Sequence, residues 1–207
     1  MLDEKGFDRW AKEYDTSTGR SDGEGSYPFA GYKKVLGEIA RRVLDKPGRK
    51  VLDIGFGTGV LTAALYEQGC EVWGQDFSVC MVETARSKMP AAHLVQGDFS
   101  RGLAEELRAR RYDAIIATYS LHHLTDEEKT HFLASLLPLL ARGGSIYIGD
   151  VAFATRAELE ACRRRAGERW DPDEIYFVAD ELRQEFPALT FTRLSDCAGV
   201  LELPAEE

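Results

Sequence analysis

The residues best equipped for chemistry in this chain each close an apolar run. Asp53-Ile54-Gly55-Phe56-Gly57-Thr58-Gly59 sets three glycines at alternate positions behind an acid. Asp76, Asp98, the pair His122-His123 and Asp150 end four later runs. Glycines let a backbone turn tightly and approach a ligand, and a helix that follows them offers unpaired N–H groups. An acid about 20 residues further on can accept from both hydroxyls of a ribose. Histidine titrates near neutrality and suits the removal of a proton from an amine or hydroxyl.

The elements that must carry these residues follow from hydrophobic periodicity. VLDIG, EVWGQD, HLVQGD, YDAIIATYS and SIYIGDVAF read as five buried strands. Helices are predicted between them. One runs over Leu61–Gln68, stopped by Gly69. A second is capped by Ser78 and runs to Met89, where Pro90 ends it. A third lies near Leu103–Arg110. The last opens at a Thr125/Glu128 capping box and runs to about Leu140, closed by Gly143-Gly144. Alternation of this kind gives an α/β fold with a Rossmann-like parallel sheet covered on both faces.

Upstream, Phe7, Trp10, Ala11 and Tyr14 suggest a short aromatic helix, and Thr16–Ser26 a polar, Gly-rich loop. Tyr32, Val35, Leu36, Ile39 and Val43 recur at helical spacing until Lys46-Pro47-Gly48. Downstream, Arg156–Trp170 and Pro172–Phe186 read as helices, and LTFTRL and AGVLEL as a closing antiparallel pair. The expectation is one domain over residues 1–207. Residues 1–48 would form an N-terminal helical extension or lid, 49–151 the ligand-binding core, and 152–207 the C-terminal helices and closing strands.

In an open α/β sheet, ligands bind outside the carboxyl ends of the strands. A dinucleotide fingerprint G-x-G-x-x-G would need glycine at position 60, where this chain has Val60. Glycines at 55, 57 and 59, with acids ending the next two strands, instead resemble the class I S-adenosylmethionine-dependent methyltransferases. The resemblance covers VLDIGFGTG, GQDFSVCM, QGDFS, YDAIIATYSLHHL and GGSIYIGD in the family's order. Trp10, Ala11, Tyr14 and Asp15 further resemble a W-A-x-x-Y-D pattern of an uncharacterised bacterial small-molecule branch.

The resemblance implies S-adenosylmethionine as cofactor, with S-adenosylhomocysteine as product and no metal. Gly55, Gly57, Thr58 and Gly59 would lie along its methionine part, with Asp53 supporting the loop or the amino group. Asp76 would hold the ribose, with Phe77 and Met81 against the adenine. Asp98 and the Phe99 backbone would meet the adenine edge, and Thr118 to Leu121, Ser120 included, would line the fourth strand's side. Each position has a plainer role open to it: Asp76 and Asp98 as helix N-caps, Phe77, Met81 and Phe99 as core. Candidates for a base are His122, His123, Asp150, Tyr14 and Tyr119. His123 is preferred, although a histidine pair here also serves to fix the turn. Tyr14 would cover the methyl group or simply anchor its helix.

Composition and absent motifs narrow the acceptor. The 207 residues carry 26 basic and 35 acidic side chains, a net charge of −9, which disfavours nucleic acid. No apolar run approaches a membrane span, and four scattered cysteines suggest free thiols in a reducing, cytoplasmic setting. The N/D-P-P-Y/F motif of nucleic-acid and glutamine amino-methylating enzymes is absent after the fourth strand, as is a cysteine for covalent attack on a pyrimidine. Arg163-Arg164-Arg165 with Arg169 reads as a solvated helix face, with the holding of an acidic substrate as the alternative, and Trp170–Tyr176 as the segment for acceptor contacts. The expected activity is methyl transfer to oxygen or nitrogen of a small molecule. The alternative is an inactive S-adenosylmethionine-binding sensor or scaffold. An NAD-dependent oxidoreductase is disfavoured by Val60 and by the lack of a Tyr-x-x-x-Lys pair.

Overall fold

The computed structural model describes residues 27–205. Tyr14 and the other N-terminal residues singled out above lie outside them. The elements run in the order α1 (Tyr32–Asp45), β1 (Lys50–Ile54), α2 (Val60–Glu67), β2 (Glu71–Asp76), α3 (Val79–Lys88) and β3 (His93–Gln96). They continue with α4 (Glu105–Arg108), β4 (Tyr112–Thr118), α5 (Asp126–Leu136) and β5 (Leu140–Phe153). The chain ends with α6 (Arg156–Ala166), β6 (Phe177–Val178), α7 (Ala179–Glu185), β7 (Thr190–Arg193) and β8 (Ala198–Pro204).

The strands form one sheet in the order β3-β2-β1-β4-β5-β8-β7, with β6 pairing beside the end of β5. Every pair from β3 to β5 is parallel, and β8 is antiparallel to both β5 and β7. The alternation read from the sequence and the closing antiparallel pair are therefore both present. The order reverses at β1 and β4, so their carboxyl ends open a crevice there.

Buried side chains of α1, α2 and α3 cover one face of the sheet, and those of α4, α5 and α7 the other. The two layers explain why β1 and β4 are almost wholly buried. Helix α1 belongs to the first layer: Val35, Leu36, Ile39 and Val43 are buried on it. It sits tightly on β5 because Gly149 lacks a side chain. A Cβ there would meet Val35 Cγ1 at 2.4 Å and Ile39 Cδ1 at 2.7 Å. A third cluster joins Tyr27, Ala30, Val151, Phe153, Leu159, Tyr176 and Cys197 above the β5 end.

The structure corrects several helix limits. The helix opened by Thr125 stops at Leu136, and a single 3-10 turn over Leu137–Leu139 leads into β5. Pro138 has no N–H to continue the ladder. Gly143-Gly144 lie inside β5, at a register shift against β4, rather than closing a helix. The predicted helix Pro172–Phe186 is α7 alone. Phe177 and Val178, both buried, pair with Ala152 and Phe153 instead. The predicted helix at Leu103–Arg110 shrinks to four residues, and that at Arg156–Trp170 ends at Ala166, before a positive-φ Gly167. No described helix is long and apolar enough to cross a membrane.

Candidate functional site

The chain leaves β1 at Ile54 and turns through glycines with φ of +70° at Gly55, +56° at Gly57 and +75° at Gly59. Side chains strain this conformation. Space matters as well as angle. A Cβ on Gly55 would stand 2.6 Å from Ser120 Cβ, whereas one on Gly57 would meet nothing within 4 Å. Gly57 therefore bares its backbone to open space, and α2 begins just beyond it with its first N–H groups facing the loop. Gly59 does a different job, packing close to Ala85 of α3 and to Met89 just past its end.

A cavity of about 170 Å³ lies over this loop. Asp53, Gly55, Gly57, Thr58, Met81 and Thr118 line it, all anticipated as ligand contacts. Phe29, Tyr32, Leu36 and Tyr119 form its other wall. Tyr32 and Tyr119 have ring centroids 5.1 Å apart, and Phe29 and Tyr119 6.1 Å. Tyr119 is the one described non-glycine residue with positive φ, +51°, and its N–H donates to Gly149 O at 2.8 Å. Backbone strain of this kind concentrates at functional sites.

The three carboxylates differ sharply in setting. Asp53 is 1% exposed; the Thr62 hydroxyl donates to Oδ2, while Oδ1 has no partner. Burial pushes its pKa up to about 7, with Thr62 acting against the rise and the charge of Asp76 adding to it. Asp76 spans the crevice: Oδ2 accepts from the Gly57 N–H at 2.8 Å and Oδ1 from the Ser78 N–H at 2.9 Å. Its side chain thus ties β2 to the glycine loop. Asp98 stands at the outer edge, exposed, accepting from the Ser100 N–H at 3.0 Å and hydroxyl at 2.6 Å. Those bonds hold its carboxyl below the usual range.

The remaining anticipated residues divide between rim and support. Phe77 is 70% exposed, an apolar shelf beside Asp76, and Met81 is 37% exposed. Phe99 is half-buried against Phe132, with ring centroids 5.9 Å apart, and abuts Gly55. Ser120 Oγ donates to Ile54 O at 2.8 Å, locking the end of β1 to the turn after β4. Thr58 Oγ1 is buried without a partner.

Beyond β4 the two histidines part company. His123 is exposed, while His122 is buried. His122 Nδ1 lies 2.8 Å from Asp150 Oδ1, and its Nε2 lies 3.5 Å from Glu174 Oε1. Parallel pairing of β4 with β5 brings this about, since Thr118 stands beside Gly149. Glu174 in turn accepts from the Tyr176 hydroxyl at 2.6 Å, which meets the Tyr27 hydroxyl. The Tyr27 ring stacks on Trp170 at 5.0 Å. Segment Trp170–Tyr176 is thereby drawn to the strand tips. Tyr27, Phe29 and Tyr32 carry no local signal of a role at the site; only the packing of residues 27–32 over β4 and β5 reveals one. Among the described residues, no group of three or more His, Cys, Asp or Glu is placed to hold a metal.

This geometry agrees with what the chain is similar to. Residues 51–144 match the family model described as a methyltransferase domain. An uncharacterized methyltransferase of Geobacillus sp. (strain WCH70) is 38% identical over 181 residues, covering 87% of this chain and 80% of the relative. Two solved structures share the fold. Magnesium protoporphyrin IX methyltransferase from Synechocystis PCC 6803, with bound S-adenosylhomocysteine, aligns at a TM-score of 0.68 and 21% identity, over 99% of this chain and 96% of that one. A plantazolicin methyltransferase, in complex with a pentazolic desmethyl analogue and S-adenosylhomocysteine, aligns at a TM-score of 0.63 and 16% identity, over 99% of this chain and 92% of that one. The glycine loop and strand-end acids thus sit in the sheet order of known methyltransferases, and the chain belongs to the class I S-adenosylmethionine-dependent methyltransferases.

Proposed function

We propose that this enzyme methylates an oxygen or nitrogen of a small molecule, using the crevice between β1 and β4. The observation that carries this reading is a cavity lined by Asp53 and the glycine loop, with Gly57 facing open space and its N–H donating to Asp76. The residues suit a cationic nucleoside. Two buried polar oxygens, Asp53 Oδ1 and Thr58 Oγ1, lack partners at the cavity. A bound ammonium or sulfonium would satisfy the first by charge.

The cavity is smaller than the roughly 300 Å³ typical of pockets for drug-sized ligands. It therefore fits the methionine end, and the adenosine half would lie outward along Asp76, Phe77, Met81 and Asp98. Asp76 would take the ribose hydroxyls with the lone pairs left after Gly57 and Ser78. When bound, S-adenosylmethionine would supply an electrophilic sulfonium methyl group to a lone pair of the acceptor. The protein's part is orientation and exclusion of water. Phe29, Tyr32, Leu36 and Tyr119 provide an apolar wall for both. A hydroxyl or ammonium acceptor must also lose a proton, and we assign that role to His123, which is exposed just beyond β4 and is not among the residues lining the cavity.

Small-molecule acceptors are supported by the names of the solved relatives, a porphyrin and a natural-product methyltransferase. The net charge of −9 argues in the same direction, against phosphate backbones. Calorimetry with S-adenosylmethionine and with NAD(H) tests the cofactor: heat is expected with the first alone, and its absence ends the proposal. Product formation across panels of phenols, alcohols and amines tests the acceptor class. Tight cofactor binding with no product from any pool would favour a sensor.

A further inference from the structure

The two histidines after β4 are adjacent in sequence yet sit in opposite electrostatic surroundings. His122 lies between Asp150 of β5 and Glu174 of the segment joining α6 to β6. Asp150 is wholly buried; its Oδ1 also accepts from the Val151 N–H at 2.8 Å, while its Oδ2 is buried without a hydrogen-bond partner. The backbone around His122 is clamped as well. Its carbonyl accepts from the Ile175 N–H at 2.8 Å, and the Ile175 carbonyl accepts from the buried Nζ of Lys129 on α5. The His123 ring leans against His122 with centroids 4.4 Å apart, at 66° between planes.

We propose that His122 is a positioning residue: paired with Asp150 and Glu174, it fastens the 170–176 segment over the strand tips and sets the surroundings of the adjoining His123 ring, which takes the acceptor's proton. The proposal rests on the reading of His123 as the base in methyl transfer. The charge balance supports it. For His122, burial pulls the pKa down, but the bond and charge of Asp150, with Glu174, more than offset burial and the nearby Lys129, and the result is a rise. For His123, burial and then the charge of His122 lower the pKa, against weaker upward pulls from Glu174, Asp150 and Asp171. Neighbouring groups whose surroundings drive their pKa values apart mark a division of roles. Proton transfer then needs only one exchange: the acceptor's O–H or N–H bond breaks, its electron pair stays on the acceptor, and a ring nitrogen of His123 gains the hydrogen.

The test is a proton titration of the full chain with carbon-13-labelled histidines, followed by NMR. Wild type is expected to show His122 titrating above the ordinary histidine value and His123 below it. His122→Gln removes the imidazole whose charge lowers His123, and the His123 midpoint should rise by roughly half a pH unit or more, with partial exposure screening the rest of the effect. The acid limb of the pH–kcat/KM profile should move upward with it, once an acceptor is in hand. Equal midpoints in wild type, the reverse order, or a His123 midpoint indifferent to His122→Gln would overturn the proposal. The wild-type order decides the matter even if the variant misfolds. Calorimetry with S-adenosylmethionine on the same sample separates the two ideas. Absent binding sinks methyl transfer while leaving the titration order to stand, and binding with the wrong titration order sinks only the role of His122.

Discussion

Asp53 stores a penalty in the ligand-free protein that a single substitution should release. Its carboxyl is fully buried, with one oxygen bonded to Thr62 and the other without a partner. Folding moves its proton release from the ordinary 3.8 to about 7. Between those pH values the native state holds the proton more tightly than the unfolded chain, so stability falls as pH rises through the window. Above it, the full cost of ionising the buried group is present. Three pH units at about 1.4 kcal/mol each give a penalty of about 4 kcal/mol.

Asp53→Asn keeps the shape and removes the charge. The Thr62 hydroxyl can donate to the amide oxygen, but the amide nitrogen then occupies the place of the partnerless oxygen, at a cost of about 1–3 kcal/mol. The expected net gain near pH 8 is therefore about 1–3 kcal/mol, and near pH 4, where Asp53 keeps its proton and only the cost of the amide remains, the variant should be less stable than wild type by about 1–3 kcal/mol. For a chain of this size each kcal/mol raises Tm by about 2–4 °C. Thermal unfolding of wild type and variant at the two pH values, with and without S-adenosylmethionine, reads all of this. The ligand should raise Tm in wild type far more than in the variant, because the charge that destabilises the empty site is the one that meets a cation. A variant less stable than wild type near pH 8, or a difference between them that ignores pH, would refute the reasoning.

Other substitutions probe the site and its supports. Asp76→Ala should weaken S-adenosylmethionine binding by about 1–3 kcal/mol by calorimetry, through lost charge-assisted hydrogen bonds and a loosened Gly57; unchanged affinity would remove Asp76 from the ribose. Lys129→Ala should lower stability by about 2–4 kcal/mol in denaturant melts, since it empties a buried volume and orphans the Ile175 carbonyl. Thr125→Ala should cost about 0.5–2 kcal/mol by the same measure, because Thr125 and Glu128 cap α5 reciprocally.

The glycine spacing and the strand-end acids were legible because they answer to local geometry. A residue that ends a parallel strand must lie on the same edge of the sheet as every other such residue, whichever order the strands take. For that reason Asp53, Asp76 and Asp98 could be assigned to one edge from the strand pattern, whereas Thr118 and Ser120 entered through the family resemblance; the Ser78 cap was legible from its residue type and the Thr125 cap from Glu128 three positions on. The limits of α5 and the strand at Phe177–Val178 were not legible. The end of α5 depends on where β5 takes over pairing, and a two-residue strand exists only because Ala152 and Phe153 lie beside it.

The difference between His122 and His123 belongs to the same second kind. Nothing in the dipeptide says which ring turns inward. That choice follows from β4 lying against β5, which sets Asp150 within reach of one ring, and from Lys129 holding the segment that delivers Glu174. Likewise the protonation of Asp53 is a property of its burial beneath the loop rather than of its neighbours in the chain. Periodicity and turn chemistry act over a few residues and can be read along the chain; charge state and partner choice depend on groups distant in sequence, and those are fixed only when the core closes around them.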